Sequence, residues 1–286
     1  MTARPVRRLH LAIALALTAT TPLWGDVADL SKLVDQNAAA LVTVQLVLQV
    51  KIPGAMGQIL GDAQEFETET VCTVVDPKGL ILCSNTQING YTGMMQRLMG
   101  RMGAQADLTV TPTQIRVLAA DPTKPLTAKI LVRDTDLDLA WLQIENSAGQ
   151  SFAYIDFARG AAPHIGDAIY AIRRLDKFFD RMPSLLEAKI SSITQKPRAL
   201  FIPTDRFDTS LGIPVLMADG QVVGLLVLQL PDEHGATERS GVSLEMMNWS
   251  SRMQDVGRGV ILPAQEVVKA TKRALASLAE KPAAKN

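Results

Sequence analysis

Cys72 and Cys83 are the only cysteines of the chain, and they flank the turn Asp76-Pro77-Lys78-Gly79 symmetrically. If Asp76 pairs with Gly79 across a hairpin, Val74 faces Ile81 and Cys72 faces Cys83, a separation compatible with a cross-strand disulfide. A register one residue different would separate them and leave two buried thiols. A second group is Met94, Met95, Leu98, Met99 and Met102, within residues 92–103, where helical spacing puts Met95, Met99 and Met102 on one face. Clustered thioethers suit Cu(I), a soft cation. The same side chains also form an adaptable apolar surface that packs on the fold or on a partner, and that is the reading adopted; no metal or cofactor is expected. Met246, Met247 and Trp249 would add to such a surface. Acid–base chemistry is harder to assemble. Only His164 and His234 follow residue 25; one precedes an expected strand and the other sits in the polar stretch Pro231-Asp232-Glu233-His234-Gly235, so both read as ordinary surface or half-buried groups.

The chain start divides into a basic portion with Arg4, Arg7 and Arg8, an apolar run over 9–17, and small residues ending near Gly25. Residues 1–25 therefore read as a secretory signal peptide. The alternative is a membrane anchor, but threonines and Pro22 leave the stretch short of the roughly 20 apolar residues a spanning helix needs. No later segment is long and apolar enough to span. The expected location is periplasmic or secreted, where a disulfide persists. Losing three arginines from a chain with 29 basic and 29 acidic residues leaves a formal charge of −3. That balance argues against a nucleic-acid partner, which calls for a concentrated basic face.

The elements that must position these groups are short and β-rich. With 47% apolar and 20% charged residues, the chain can bury a sizeable core. A short helix is expected over 29–34, then strands over 40–46, 70–75, 80–84, 114–118, 128–132, 140–144, 168–172, 188–193, 214–217 and 222–228. Many short strands divided by Gly, Pro and Asp turns favour an all-β barrel or sandwich. Pro263 suits the first turn of a closing helix, with Val268, Thr271, Leu275 and Leu278 on one face.

Several segments, in order, resemble the trypsin-like serine proteases of the Deg/HtrA type. Residues 74–88, with Asp76-Pro77-Lys78-Gly79-Leu80-Ile81-Leu82 and Asn85-Thr86-Gln87-Ile88, are similar to that family's DPxGxILTNxHV hairpin. Asp134 to Leu142 looks like its D-x-x-x-DLALLxI strand, Ile165 to Ile172 like VGDxVxAIG, Phe201 to Asp205 like FIQTD, Gly212 to Leu216 like the end of GNSGGPLV, and Gly259 to Pro263 like GFAIP. The resemblance implies an all-β fold of two trypsin-like β-barrels with a C-terminal helix. With the signal peptide read at 1–25, the expected division is an N-terminal helix and first barrel at 26–150, a second barrel at 151–262, and the closing helix with a loose tail at 263–286. No sequence is left for an appended PDZ-type module.

The resemblance also locates the catalytic positions, and they look degenerate. Thr86 stands where the histidine base belongs, Asp138 matches the triad aspartate, and Leu211 falls at the nucleophile. Thr209 and Ile213 replace glycines of the oxyanion loop, and Ser210 would serve as a fallback nucleophile only if that loop were rebuilt. A threonine hydroxyl cannot act as a base near neutral pH, and loss of triad members costs on the order of 10⁴ to 10⁶ in rate. No catalytic residue is therefore expected, and Asp138 reads as a structural hydrogen-bonding group. The expectation is an exported, inactive protease homologue that binds a protein or peptide. The alternatives are an atypical serine endopeptidase using Ser210 and Cu(I) binding through the methionine cluster.

Overall fold

A computed structural model describes residues 27–51, 63–90, 92, 109–119, 123–196, 198–205, 207, 210–229 and 259–280. The expected signal peptide, the methionine cluster, Thr209, His234, Met246, Met247, Trp249 and the tail at 281–286 all lie outside the described residues.

Helix α1 (Val27–Asn37) leads through a single 3-10 turn into β1 (Leu41–Lys51). Strands β2 (Ala63–Asp76), β3 (Leu80–Ser84), β4 (Thr109–Leu118), β5 (Leu126–Asp134) and β6 (Leu139–Ile144) then close a barrel in the order β1-β2-β3-β6-β5-β4. A one-turn helix α2 (Asn85–Ile88) follows β3 directly. The second barrel comprises β7 (Ala168–Arg174), β8 (Pro183–Thr194), β9 (Leu200–Pro203), β10 (Pro214–Leu216), β11 (Val222–Leu228) and β12 (Gly259–Pro263), in the order β10-β11-β12-β9-β8-β7. All named pairings are antiparallel, and α3 (Ala264–Glu280) closes the chain. Among the described residues no helix is long and apolar enough to cross a membrane.

The strands join the barrels because their side chains alternate between two apolar destinations. On β3, Ile81 and Cys83 fill the first barrel, while Leu80 and Leu82 face outward into a core shared with the second. On β6, Ala140 and Leu142 point inward and Leu139 and Trp141 outward in the same way. A strand covered on both faces reads as a continuous apolar run, and Leu80–Ser84 is buried throughout.

The Cys72–Cys83 disulfide is present, with its Cα atoms 4.7 Å apart. Val74 faces Ile81 as expected, but a bulge between Val74 and Asp76 pairs Asp76 with Leu80 instead of Gly79. Gly79, at φ +85°, closes the turn by donating its N–H to Asp76 O, a backbone conformation that glycine adopts without Cβ strain. The closing helix also sits differently from the expected face. Ala264, Val267, Ala270 and Ala274 are its buried residues, and Leu275 is 42% exposed. Small residues let the helix axis approach the barrels closely, and Thr271 still points inward, accepting a hydrogen bond from Trp141 Nε1 at 3.0 Å.

Candidate active-site cleft

Asp138 ends the turn between β5 and β6, a turn shaped by Asp134 Oδ1, which accepts from the amides of Asp136 and Leu137. Its own backbone is left-handed, with φ +57°, and only 2% of the residue is exposed. Both carboxylate oxygens are occupied. Oδ1 accepts from the Thr86 amide at 2.7 Å, while Oδ2 accepts from the Ser84 hydroxyl at 2.8 Å and from the Leu228 amide at 2.9 Å. Burial pushes the Asp138 carboxyl above the usual aspartate range, and the hydrogen bonds from Leu228, Thr86 and Ser84 pull against that shift by favouring the ionised form. Ser84 does double duty as the N-cap of α2, its Oγ accepting from Gln87 N.

The segment 210–213 meets this arrangement from the second barrel. Gly212 has φ +78°, and a Cβ there would lie 2.9 Å from Ser84 N and 3.2 Å from Val71 O. Its amide donates to Leu226 O and its carbonyl accepts from Thr73 Oγ1. The loop is thus tied to both barrels through one residue. The Ser210 amide donates to Phe207 O, so the amides of Ser210 and Gly212 are both engaged within the fold. Leu211, expected at the nucleophile position, is 1% exposed, and Ser210 is 5% exposed.

Between the barrels, beside Ser210 and Leu211, lies a cleft of about 380 Å³ bordered by Thr43, Glu69, Thr70, Gln87, Arg173 and Arg174, among others. Arg174 is a structural clamp, donating to the carbonyls of Leu41, Ala38 and Arg181; burial lowers its pKa. Arg181 reaches back over the first barrel and grips Glu69 with two hydrogen bonds, at 2.6 and 3.1 Å. Burial alone would raise the Glu69 pKa, but hydrogen bonds from Arg181 and Gln45 and the nearby charges of Arg181 and Lys177 bring it below the usual glutamate range. At the rim, Phe179 borders the cleft and meets Phe178 edge to face, the two being 53% and 84% exposed.

The structure therefore brings Thr86 and Asp138 into direct contact and sets Ser210 and Leu211 on the cleft that α2 borders through Gln87. His164 is elsewhere, on the turn before β7; its side chain is 90% exposed, and its Nδ1 lies 3.5 Å from Asp167. No histidine among the described residues borders the cleft. Sequence reasoning did not single out Ser84, Thr43, Glu69, Arg173 or Arg181. Only one of these carried a signal: Arg173 and Arg174 together end the otherwise apolar run Ala168-Ile169-Tyr170-Ala171-Ile172.

A family model of the trypsin-like peptidase domain matches residues 70–225, more than half of the chain. No curated protein matches it.

Proposed function

The chain belongs to the trypsin-like peptidase domain family, and from that premise we propose that it is a catalytically inactive member whose inter-barrel cleft binds a peptide or an extended protein segment. One observation carries the reading. The residue at the base position, Thr86, offers Asp138 only hydrogen-bond donors, and the carboxylate that would orient a histidine is spent on Ser84, Thr86 and Leu228. An acyl-transfer site needs a nucleophile, a base in reach of it and a group orienting that base. Here the aspartate instead ties α2 to the second barrel.

The exposed Phe178–Phe179 pair at the rim supports a binding role, because adjacent aromatic rings left in water are ready contact surface for a partner. Export to the periplasm or beyond the cell belongs to the same reading, supported by the Cys72–Cys83 disulfide and the leader-like residues 1–25. Membership of the Deg/HtrA type belongs to the same proposal, on the motifs around Asp76 and Asp138.

The test uses purified protein with unfolded casein and a fluorophosphonate probe. Casein should co-elute with the protein on gel filtration and remain uncut, and the probe should label nothing. Casein cleavage or probe labelling that disappears in Ser210→Ala would instead establish the rival, an atypical serine endopeptidase. Casein neither bound nor cut would remove support for the binding role.

A further inference from the structure

Two polar groups of the cleft lack what buried polar groups ordinarily have. Thr43, on β1, is 3% exposed, borders the cleft, and its Oγ1 has no hydrogen-bond partner. Arg173, on β7, borders the same cleft, and its Nε is likewise buried and unpartnered. Buried polar atoms are nearly always satisfied in a folded protein; the two residues that carry these orphaned donors border one cavity, so a small side-chain adjustment lets an acceptor from outside complete the set.

The charges around them select the acceptor. Two acidic residues border the cleft, and both are engaged: Glu69 with Arg181 and Gln45, and Asp176 with the Phe178 amide through Oδ1. Arg174 gives its guanidinium to three carbonyl oxygens, none of which cancels its charge. With the Glu69 charge offset by Arg181, Asp176 stands against Arg173 and Arg174, an excess of one positive charge, and a guanidinium matches a carboxylate through paired, charge-assisted hydrogen bonds. We propose that Arg173 and Thr43 form a carboxylate-binding subsite, which takes either the C-terminal carboxylate or an Asp or Glu side chain of a bound peptide. This rests on the peptide-binding reading above.

The test is fluorescence anisotropy with four pools of fluorescein-labelled eight-residue peptides. The pools end in a free acid or an amide, and each kind either includes or lacks Asp and Glu. Pools carrying a carboxylate should bind at least tenfold more tightly than the amidated, acid-free pool, and the pair of pools that differ only at the C-terminus identifies which carboxylate is used. Arg173→Gln should abolish the difference, Thr43→Val should reduce it several-fold, and Arg159→Gln, at an exposed arginine away from the cleft, should leave it unchanged. Should Arg173→Gln fold poorly, Arg173→Lys, which keeps the charge and loses the fork, and Thr43→Val carry the comparison. Equal binding of all pools, or a carboxylate preference indifferent to Arg173 and Thr43, overturns the subsite and leaves peptide binding standing. No binding of any pool sinks both.

Discussion

Asp138 of the first barrel accepts a hydrogen bond from the Leu228 amide of the second at 2.9 Å, across 90 residues of chain. With Ser84 and Thr86 on the same carboxylate, one buried side chain satisfies three donors drawn from two barrels. Asp138→Ala leaves all three unsatisfied and places alanine at φ +57°, so it should destabilise the protein by roughly 3 kcal/mol. Denaturant unfolding should show this as a lower midpoint. A shift below about 0.5 kcal/mol would show that the carboxylate does not tie the barrels together.

Gly212 makes the second junction. Gly212→Ala meets left-handed backbone strain of about 1–2 kcal/mol and adds a methyl 2.9 Å from the Ser84 nitrogen, which cannot move without disturbing α2. The variant should lose more than about 2 kcal/mol of stability and weaken peptide binding, as read by thermal unfolding and anisotropy. Wild-type stability in this variant would falsify the contact.

The disulfide closes a short loop, with its cysteines 11 residues apart. Chain-entropy arguments give it about 3 kcal/mol. Both cysteines are 0% exposed, so dithiothreitol should leave the native protein oxidised and act only as it unfolds. Thiol titration under native conditions, beside melting curves with and without reductant, checks both statements.

Acid should loosen the Glu69–Arg181 tie. The folded-state pKa of Glu69 is depressed, so its contribution is fully present above the unfolded value of about 4.3 and is lost as pH falls through the lower folded value. The stability difference between wild type and Glu69→Gln should be about 1 kcal/mol at pH 7 and shrink towards zero below the folded pKa. A difference that stays constant down to pH 2 would contradict the ion pair.

Trp141 reports on the closing helix through its hydrogen bond to Thr271. Thr271→Val keeps the volume and leaves the indole N–H without its acceptor, which should cost about 1 kcal/mol and shift the tryptophan emission. Unchanged emission and stability would mean that the helix docks by apolar contact alone.

Much of the fold was legible because it depends on neighbours in sequence. Strands β3 and β11 were expected over the residues they occupy, since short apolar runs between Gly and Asp turns have few other uses. The Cys72–Cys83 pairing followed from a turn only four residues long, and the bulge that shifts Asp76 onto Leu80 lay beyond its reach because a bulge leaves no mark in the apolar pattern. The helix face was misplaced by about one position, because sequence weighs the bulk of Leu275 while the packed structure favours the close approach that Ala270 and Ala274 permit.

What the sequence by itself determined, then, was ten of the twelve strands, the disulfide and the family motifs, all of them written over a few consecutive residues. Tertiary structure alone decided the cleft. Thr43, Glu69, Arg173 and Ser210 come together only when two closed barrels share a face, and that face is set by packing between residues such as Leu80, Trp141 and Leu226, which lie on strands of different barrels. An orphaned hydroxyl or an uncompensated guanidinium has no signature in a linear chain, since it is defined by the partners that the fold brings near and by those it does not.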